Sequence, residues 1–291
     1  MNAINPFERA DFIPEFTDFS DLRGHAVGLT GAHGILGRIL KTRLDQRGIQ
    51  VAAYTGDVND ERSVAAWFAT QRCRYFFHFA ALVPVAAVEG NPLLAFQTNV
   101  VGTFNVCKHL LQTQQGCWFF HCSSSHVYQP TPTPTPIAED AITDPPTFYG
   151  ATKLAAERLV GTLFGKLQAP CCIGRVFSFT HAQQPAPYLV PSLRQKIMAL
   201  RDGDTLEVDN PSSVRDIQDA EQVIDVILHL ARRGAVGIVN IGTGEGRSVR
   251  DIALAVAQAL GRKIRVHGVD REASGSLIAD TTRLRTLVGE L

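Results

Sequence analysis

The amino-acid sequence predicts an α/β protein: a doubly wound parallel sheet with a smaller, discontinuous C-terminal lobe. Short apolar runs alternate with helical patterns through much of the chain, a glycine-rich turn follows the first of those runs, and the alternation falters after Val176. With 291 residues and 45% apolar content, the chain can bury a sizeable core in one large domain or two tightly joined ones.

The expected strands are His25–Thr30, Ile49–Tyr54, Tyr75–Phe79, Cys117–Ser123, Cys171–Val176 and Gly237–Ile241. Each is short and mostly apolar, as strands covered on both faces are. Helices fill the gaps at Ile35–Arg47, Glu61–Thr70, Pro92–Gln114 and Phe148–Leu167, where apolar residues recur at three- and four-residue spacing. Phe96, Val100, Phe104 and Leu111, with Leu154, Leu159 and Leu163, form long stripes that fit either an inter-subunit four-helix bundle of a homodimer or packing within one chain. Beyond Phe177, a helix at Pro187–Leu200, the loop RDGDTLEVDNPSSVRD and a helix at Val249–Leu260 indicate a substrate lobe. The expected division is a leader over 1–24, a dinucleotide-binding domain over 25–176 and 217–241, and the lobe over 177–216 and 242–291. Between Tyr128 and Tyr149 the repeat PTPTPTP predicts an extended loop, because alternate residues lack an N–H and cannot join a helix or a sheet interior. It serves as an inert solvated connection or as a lid edge.

Twenty-eight basic and 28 acidic residues leave no net charge, so the chain carries no electrostatic footprint for nucleic acid or an anionic membrane. No run of about 18 apolar residues occurs, and the start MNAINPFERADF lacks a basic, apolar signal core, which predicts a soluble, cytoplasmic protein. The six cysteines have no C-x-x-C spacing and fall in or beside apolar segments. They read as buried thiols rather than disulfides or a zinc site, and no metal is expected.

LTGAHGILG follows a strand and opens a helix, the context that makes a glycine pattern a dinucleotide signal and the sheet Rossmann-type. Gly31 permits the tight turn, Gly34 lets the backbone approach a pyrophosphate, and Gly37 packs helix on strand. The N–H groups around Ile35 and Leu36 meet the anion. His33, inside the turn, either touches phosphate or faces solvent. The second strand ends in Tyr54-Thr55 without an evident acid. Asp57, followed by Val58, is therefore either the ribose ligand or the residue that fixes adenine, and Arg38 is placed to meet a 2′-phosphate. The balance favours NADP(H), with NAD(H) as the alternative. After the third strand, Phe79, Ala80 and Ala81 offer surface against which a cofactor lies flat; Asn99 is expected to hold an active-site water or backbone, and His78 is either a core histidine or a site residue.

Downstream come Ser124, Tyr149 and Lys153. A free tyrosine is only about 0.1% ionised at neutral pH, so a tyrosinate base requires a downward shift of roughly three units, about 4 kcal/mol. In YGATK the i, i+4 spacing places the Lys153 ammonium on the face of Tyr149, where positive charge favours tyrosinate. Ser124 would orient the substrate oxygen, and the set points to hydride exchange between a nicotinamide ring and a sugar carbinol.

These segments resemble the extended short-chain dehydrogenase/reductase superfamily of nucleotide-sugar epimerases, dehydratases and reductases. TGAHGILG is similar to its T-G-x-x-G-x-x-G, HFAA to H-x-A-A, NVVGT to N-x-x-G-T, SSSHVY to S-S-x-x-V-Y and YGATK to Y-G-x-x-K. VRDIQDAEQVIDVI and VNIGTGEGRSVRDIA look like its later R-D and N-x-G-x-G segments. The resemblance implies a catalytic Ser124, Tyr149 and Lys153, the last two also on the cofactor. It implies a nucleotide-diphosphate sugar held by Ser124, Ser125, His126, Tyr149 and Arg215, the last suited by its charged fork to the diphosphate. The 4,6-dehydratases carry an acidic pair after the catalytic hydroxyl, where this chain has Ser125-His126, which argues against dehydration.

The segment from Arg175 to Asp216 looks most like reductases of GDP-4-keto-6-deoxymannose, although Ser178 stands where relatives have a substrate-binding Asn. The leading expectation is reduction of a nucleotide-linked 4-keto-6-deoxyhexose at C4. An NAD-retaining 4-epimerase would use the same residues, and a non-catalytic NADP-binding regulatory subunit would not need the intact Ser-Tyr-Lys set. His126 is a second acid or a substrate wall.

Overall fold

The computed structural model describes residues 6–7, 26–271 and 275–289. The expected leader, apart from Pro6 and Phe7, and the His25 start of the first strand lie outside the described residues.

Strands β1 (Val27–Thr30), β2 (Val51–Tyr54), β3 (Tyr75–His78), β4 (Trp118–Ser124) and β5 (Cys171–Val176) precede three short strands, β6 (Ser178–Thr180), β7 (Thr205–Glu207) and β8 (Val214–Asp219), and then β9 (Gly237–Ile241). The main sheet has the order β2-β1-β3-β4-β5-β9 and is parallel throughout. Helices α1 (Ile35–Asp45), α2 (Glu61–Thr70), α3 (Val85–Gly90), α4 (Pro92–Phe96), α5 (Thr103–Thr113), α6 (Phe148–Leu167), α7 (Leu189–Met198) and α8 (Ala220–Arg232) connect these strands.

Both faces are covered, so successive side chains of one strand enter different cores. Tyr75 and Phe77 of β3 pack with Leu40 of α1 and Ile227 of α8, whereas Phe76 packs with Phe68 of α2, Val106 of α5 and Phe164 of α6. This is why the strands read as continuous apolar runs. The strand order reverses at β1, flanked by β2 and β3, and at such a switch point a crevice opens at the carboxyl ends of the strands. Thr30-Gly31 ends there.

The helix expected over Pro92–Gln114 is interrupted: residues Gln97–Gly102 form a π turn between α4 and α5. The Asn99 side chain bonds the backbone of Leu82, and a Cβ on Gly102 would stand 2.5 Å from Val58 Cγ2. The turn is pressed against the loops that carry Leu82 and Val58.

The second part of the chain adds β10 (Gly246–Ser248), α9 (Val249–Ala259), β11 (Arg265–His267), β12 (Ser276–Leu277) and α10 (Thr282–Val288). Strand β8 pairs antiparallel with β10 and parallel with β12 and β6, and β11 pairs parallel with β7. Beneath them Leu193, Ile197, Ile252 and Val256 form an apolar core that Phe7 joins. The buried Asp216 carboxylate accepts the N–H groups of Thr243 (2.9 Å), Gly244 (2.9 Å) and Ala279 (3.1 Å) and the Thr243 hydroxyl (2.7 Å). One side chain thereby gathers three segments.

Helix α10, expected in the lobe, instead lies on the main sheet, with Leu284 fully buried in the core of α1 and α8. The stretch 217–219, expected in the main sheet, continues β8 of the smaller one. The Pro-Thr loop, expected to be extended throughout, pairs at two points, Thr131 with Ser276 and Ile137 with Ala279, and bends between them, where the Thr135 N–H donates to the Thr133 carbonyl at 2.7 Å. Among the described residues no helix is long and apolar enough to cross a membrane, and no group of three or more His, Cys, Asp or Glu is arranged to hold a metal ion. The cysteines are unpaired thiols, all buried except Cys122, which is half-buried.

Candidate active site

The sheet positions the catalytic candidates through β4 and α6. Ser124 ends β4 and is 7% exposed; its Oγ accepts the His126 N–H at 3.2 Å, starting a single 3-10 turn, Ser125–Val127. Helix α6 begins after Thr147, whose hydroxyl accepts the Gly150 N–H at 3.1 Å and caps the first turn. A Cβ on Gly150 would lie 2.1 Å from the His126 carbonyl oxygen, so glycine lets the two turns touch. Tyr149 thus reaches Ser124, whose hydroxyl is placed to hydrogen-bond the phenol oxygen. With the His126 N–H on its lone pair, the Ser124 hydroxyl keeps its proton for Tyr149 or for a substrate oxygen.

Lys153 comes to the same place, one turn along α6, but its Nζ donates to the Cys122 carbonyl at 2.6 Å. Burial pushes the Tyr149 phenol up, and the hydrogen bond from Ser124 offsets only part of that rise. The phenol expected to be lowered by Lys153 is therefore raised, because desolvation dominates while the ammonium is directed at main chain. Burial also lowers the Lys153 ammonium.

His126 packs edge-on against Tyr149, with ring centres 5.5 Å apart. Burial, with the Arg215 charge adding to it, pushes this imidazole down to about 4, so it is neutral at physiological pH. Arg215, in β8, faces it and donates Nη1 to the carbonyls of Val214 and Gly275, both at 2.8 Å. Ser125, expected at the substrate, is only 2% exposed in its turn.

The glycine turn has the form a pyrophosphate requires. Gly31 has φ +72°, and a Cβ there would stand 2.6 Å from the Ala80 nitrogen, so the turn nests against the Phe79–Ala81 segment. Gly37 would place a Cβ 2.2 Å from the Gly31 carbonyl oxygen. Gly34 is exposed and caps α1 without a side chain, and the first turn of α1 carries no acid. The N–H groups of Ile35 and Leu36 are thus left to an anion, and His33 is exposed beside them. The residues present fit a dinucleotide.

Near the end of β2, Asp57 is exposed, with Oδ1 accepting the Asn59 N–H at 2.9 Å, and Val58 is buried with its carbonyl held by Asn105. Arg38 is exposed on α1. Asn99 gives its amide to Leu82 and to Thr152 (3.0 Å) and is 1% exposed, so it holds backbone rather than cofactor. His78 is a core histidine: 1% exposed, bonded at both nitrogens, and pushed by burial down to about 3. Sequence spacing carries no signal for Thr152 or for the Cys122 carbonyl, and it shows Thr30 only as the first residue of TGAHGILG, not as a partner of His78 and Ala80.

The GDP-mannose 4,6 dehydratase family matches this sequence over residues 30–286. The chain belongs to that family. The GDP-mannose 4,6 dehydratase family lies within the extended short-chain dehydrogenases/reductases, NAD(P)-dependent enzymes of nucleotide sugars. A UDP-glucose 4-epimerase of Halalkalibacterium halodurans is 28% identical over 82% of this chain and 77% of its own length. A GDP-6-deoxy-D-mannose reductase of Pseudomonas aeruginosa is 28% identical over 60% of this chain and 59% of its own. The structure of RMD from Pseudomonas aeruginosa complexed with NADPH superposes with a TM-score of 0.82 at 22% identity, covering 91% of this chain and 92% of that one.

Proposed function

We propose that the protein reduces a nucleotide-linked 4-keto-6-deoxyhexose at C4. The observation that carries this reading is the Ser124–Tyr149 hydrogen bond above Lys153, followed by Ser125 and a neutral His126 where a dehydratase would carry two acids. The bound nicotinamide dinucleotide, NADP(H) by preference, would supply hydride. Tyr149, protonated in its buried site, donates its proton to the sugar C4 oxygen as charge develops there, and the Ser124 hydroxyl donates a second hydrogen bond to the same oxygen. The tyrosinate left behind is stabilised by the nearby Lys153 ammonium. His126 forms a neutral wall beside the sugar, and Arg215 is the cation available to its diphosphate. Gly31, Gly34 and Gly37 with the N-terminus of α1 hold the cofactor pyrophosphate, and Asp57-Val58 lies at the adenosine end.

The test follows nicotinamide absorbance while the purified protein meets NADPH, and NADH in parallel, with a panel of nucleotide-linked 4-keto-6-deoxyhexoses. Loss of absorbance with one sugar supports reduction and names the cofactor. A flat trace with all of them sinks it and favours the 4-epimerase reading, for which the Halalkalibacterium relative speaks and in which no added cofactor is consumed. We infer also a homodimer, supported by the apolar side chains that α4, the π turn and α5 leave exposed: Leu93, Phe96, Val101 and Phe104. The rest of the expected stripe packs within the chain: Val100, Leu111 and Leu154 are buried, and Leu159 and Leu163 are half-buried against the core.

A further inference from the structure

A series of buried hydrogen bonds runs beneath the sheet from the cofactor turn to the catalytic helix, and its direction is fixed by counting protons. The Thr103 hydroxyl donates its one proton to the Asn99 carbonyl at 2.7 Å. The 3.0 Å contact between Thr103 Oγ1 and His78 Nε2 therefore has the imidazole as donor, which places the His78 proton on Nε2. His78 Nδ1 is then an acceptor, and the Thr30 hydroxyl, 2.7 Å away, donates to it. Thr30 Oγ1 in turn accepts the Ala80 N–H at 3.3 Å. Every donor in the series finds one acceptor.

The series continues through Asn99, whose Nδ2 donates to Thr152 Oγ1 at 3.0 Å, while the Thr152 hydroxyl donates to the Tyr149 carbonyl at 2.8 Å. One end is Thr30 beside Gly31; the other is the main chain of the proton donor. The π turn brings Asn99 between them, and π turns recur where a side chain must be aimed. His121 stacks on His78 with ring centres 5.7 Å apart but has no hydrogen-bond partner on either nitrogen, so the connection passes through His78. The groups that bear charge toward His78 are Lys153 and, when protonated, His121.

We propose that His78, held as the Nε2–H tautomer, is a positioning residue that fixes the first turn of α6, and with it Tyr149, relative to the dinucleotide-binding turn. The proposal rests on the reading of Tyr149 as the proton donor. A relay of this kind matters because hydride and proton must arrive at neighbouring atoms, and small misplacements lower rates steeply.

Histidine 15N NMR of the full chain, with the His78 signals identified by their loss in His78→Gln, reads the tautomer directly. The expected result is a bare Nδ1 and a protonated Nε2, unchanged between about pH 6 and 8. A proton on Nδ1, or an imidazolium, overturns the proposal. Thr103→Val removes the acceptor for Nε2–H and is expected to mix the tautomers and lower kcat by roughly tenfold or more, with KM for the sugar within about twofold. Thr103→Ser keeps the hydroxyl and restores both. Equal losses in the two variants, or a change confined to KM, would sink it. If the wild type reduces no sugar at all, the proposed reaction fails, while the tautomer in wild type and Thr103→Val still decides this proposal.

Discussion

Lys153 Nζ donates to the carbonyl of Cys122 at 2.6 Å, while the Tyr149 phenol one turn earlier is held by Ser124 and pushed up by burial. The pair that the i, i+4 spacing joins as ammonium and tyrosinate is, in the free protein, a main-chain-anchored cation and a protonated phenol.

Tyr149 is expected to stay protonated in the ligand-free protein past about pH 10, where an ordinary tyrosine is half ionised. A raised acid pKa means that the unfolded chain loses this proton first, so the contribution to stability is intact below about pH 10 and declines as pH rises above it. The tyrosinate absorbance difference between wild type and Tyr149→Phe measures this; a midpoint near neutrality would restore the lowered phenol.

Tyr149→Phe removes the proton donor and retains the ring packed on His126. The expected loss in kcat is about 10²- to 10⁴-fold, with Tm nearly unchanged. Single-turnover absorbance at saturating cofactor and a thermal melt separate this from a folding defect.

Glu157 and Arg175 form a buried ion pair, Nη2 to Oε2 2.8 Å, with Ser123 donating to the same carboxylate at 2.5 Å and Arg175 Nη1 donating to the Tyr128 hydroxyl at 2.8 Å. Arg175→Met strands a buried carboxylate and is expected to cost about 3–5 kcal/mol, much of it recovered by also replacing Glu157 with Gln. Urea denaturation of the two single variants and the double variant checks it; additive losses would contradict the pairing.

Asp216→Asn turns an NH2 group toward at least one of the four donors that now point at the carboxylate. A loss of about 2–3 kcal/mol is expected, read as a shift in the urea midpoint. No change in midpoint would show that the three segments are held together by their apolar contacts alone.

Phe104→Glu, at an exposed apolar position of α5, is expected to shift the protein from dimer to monomer in light scattering. A monomeric wild type removes the dimer outright.

The main sheet is legible in the sequence because its strands are buried on both faces: Cys171–Val176 and Gly237–Ile241 have the expected bounds, and the other four strands differ by two residues or fewer at either end. Gly31 and Gly37 are legible because steric demands name the residue at each position, whereas Gly34, with an ordinary φ and room for a Cβ, is legible only from its place in the glycine pattern. The π turn at Gln97–Gly102 is not, since the apolar recurrence runs on through it and its partner, the Leu82 backbone, is distant in sequence. Strand β8 was hidden by composition, as VRDIQD reads polar although Asp216 and Gln218 are fully buried. The direction of Lys153 depends on a carbonyl, which spacing does not encode.

The carboxylate of Asp216 waits for a donor 63 positions downstream, and β8 waits almost as long for β12. During synthesis the six strands of the parallel sheet are all present once residue 241 has emerged, whereas the smaller sheet is completed only when β12 follows. A nascent polypeptide therefore carries its glycine turn and all six parallel strands before β12 is available to the smaller sheet, so an interrupted translation product would offer that turn beside an unfinished neighbour.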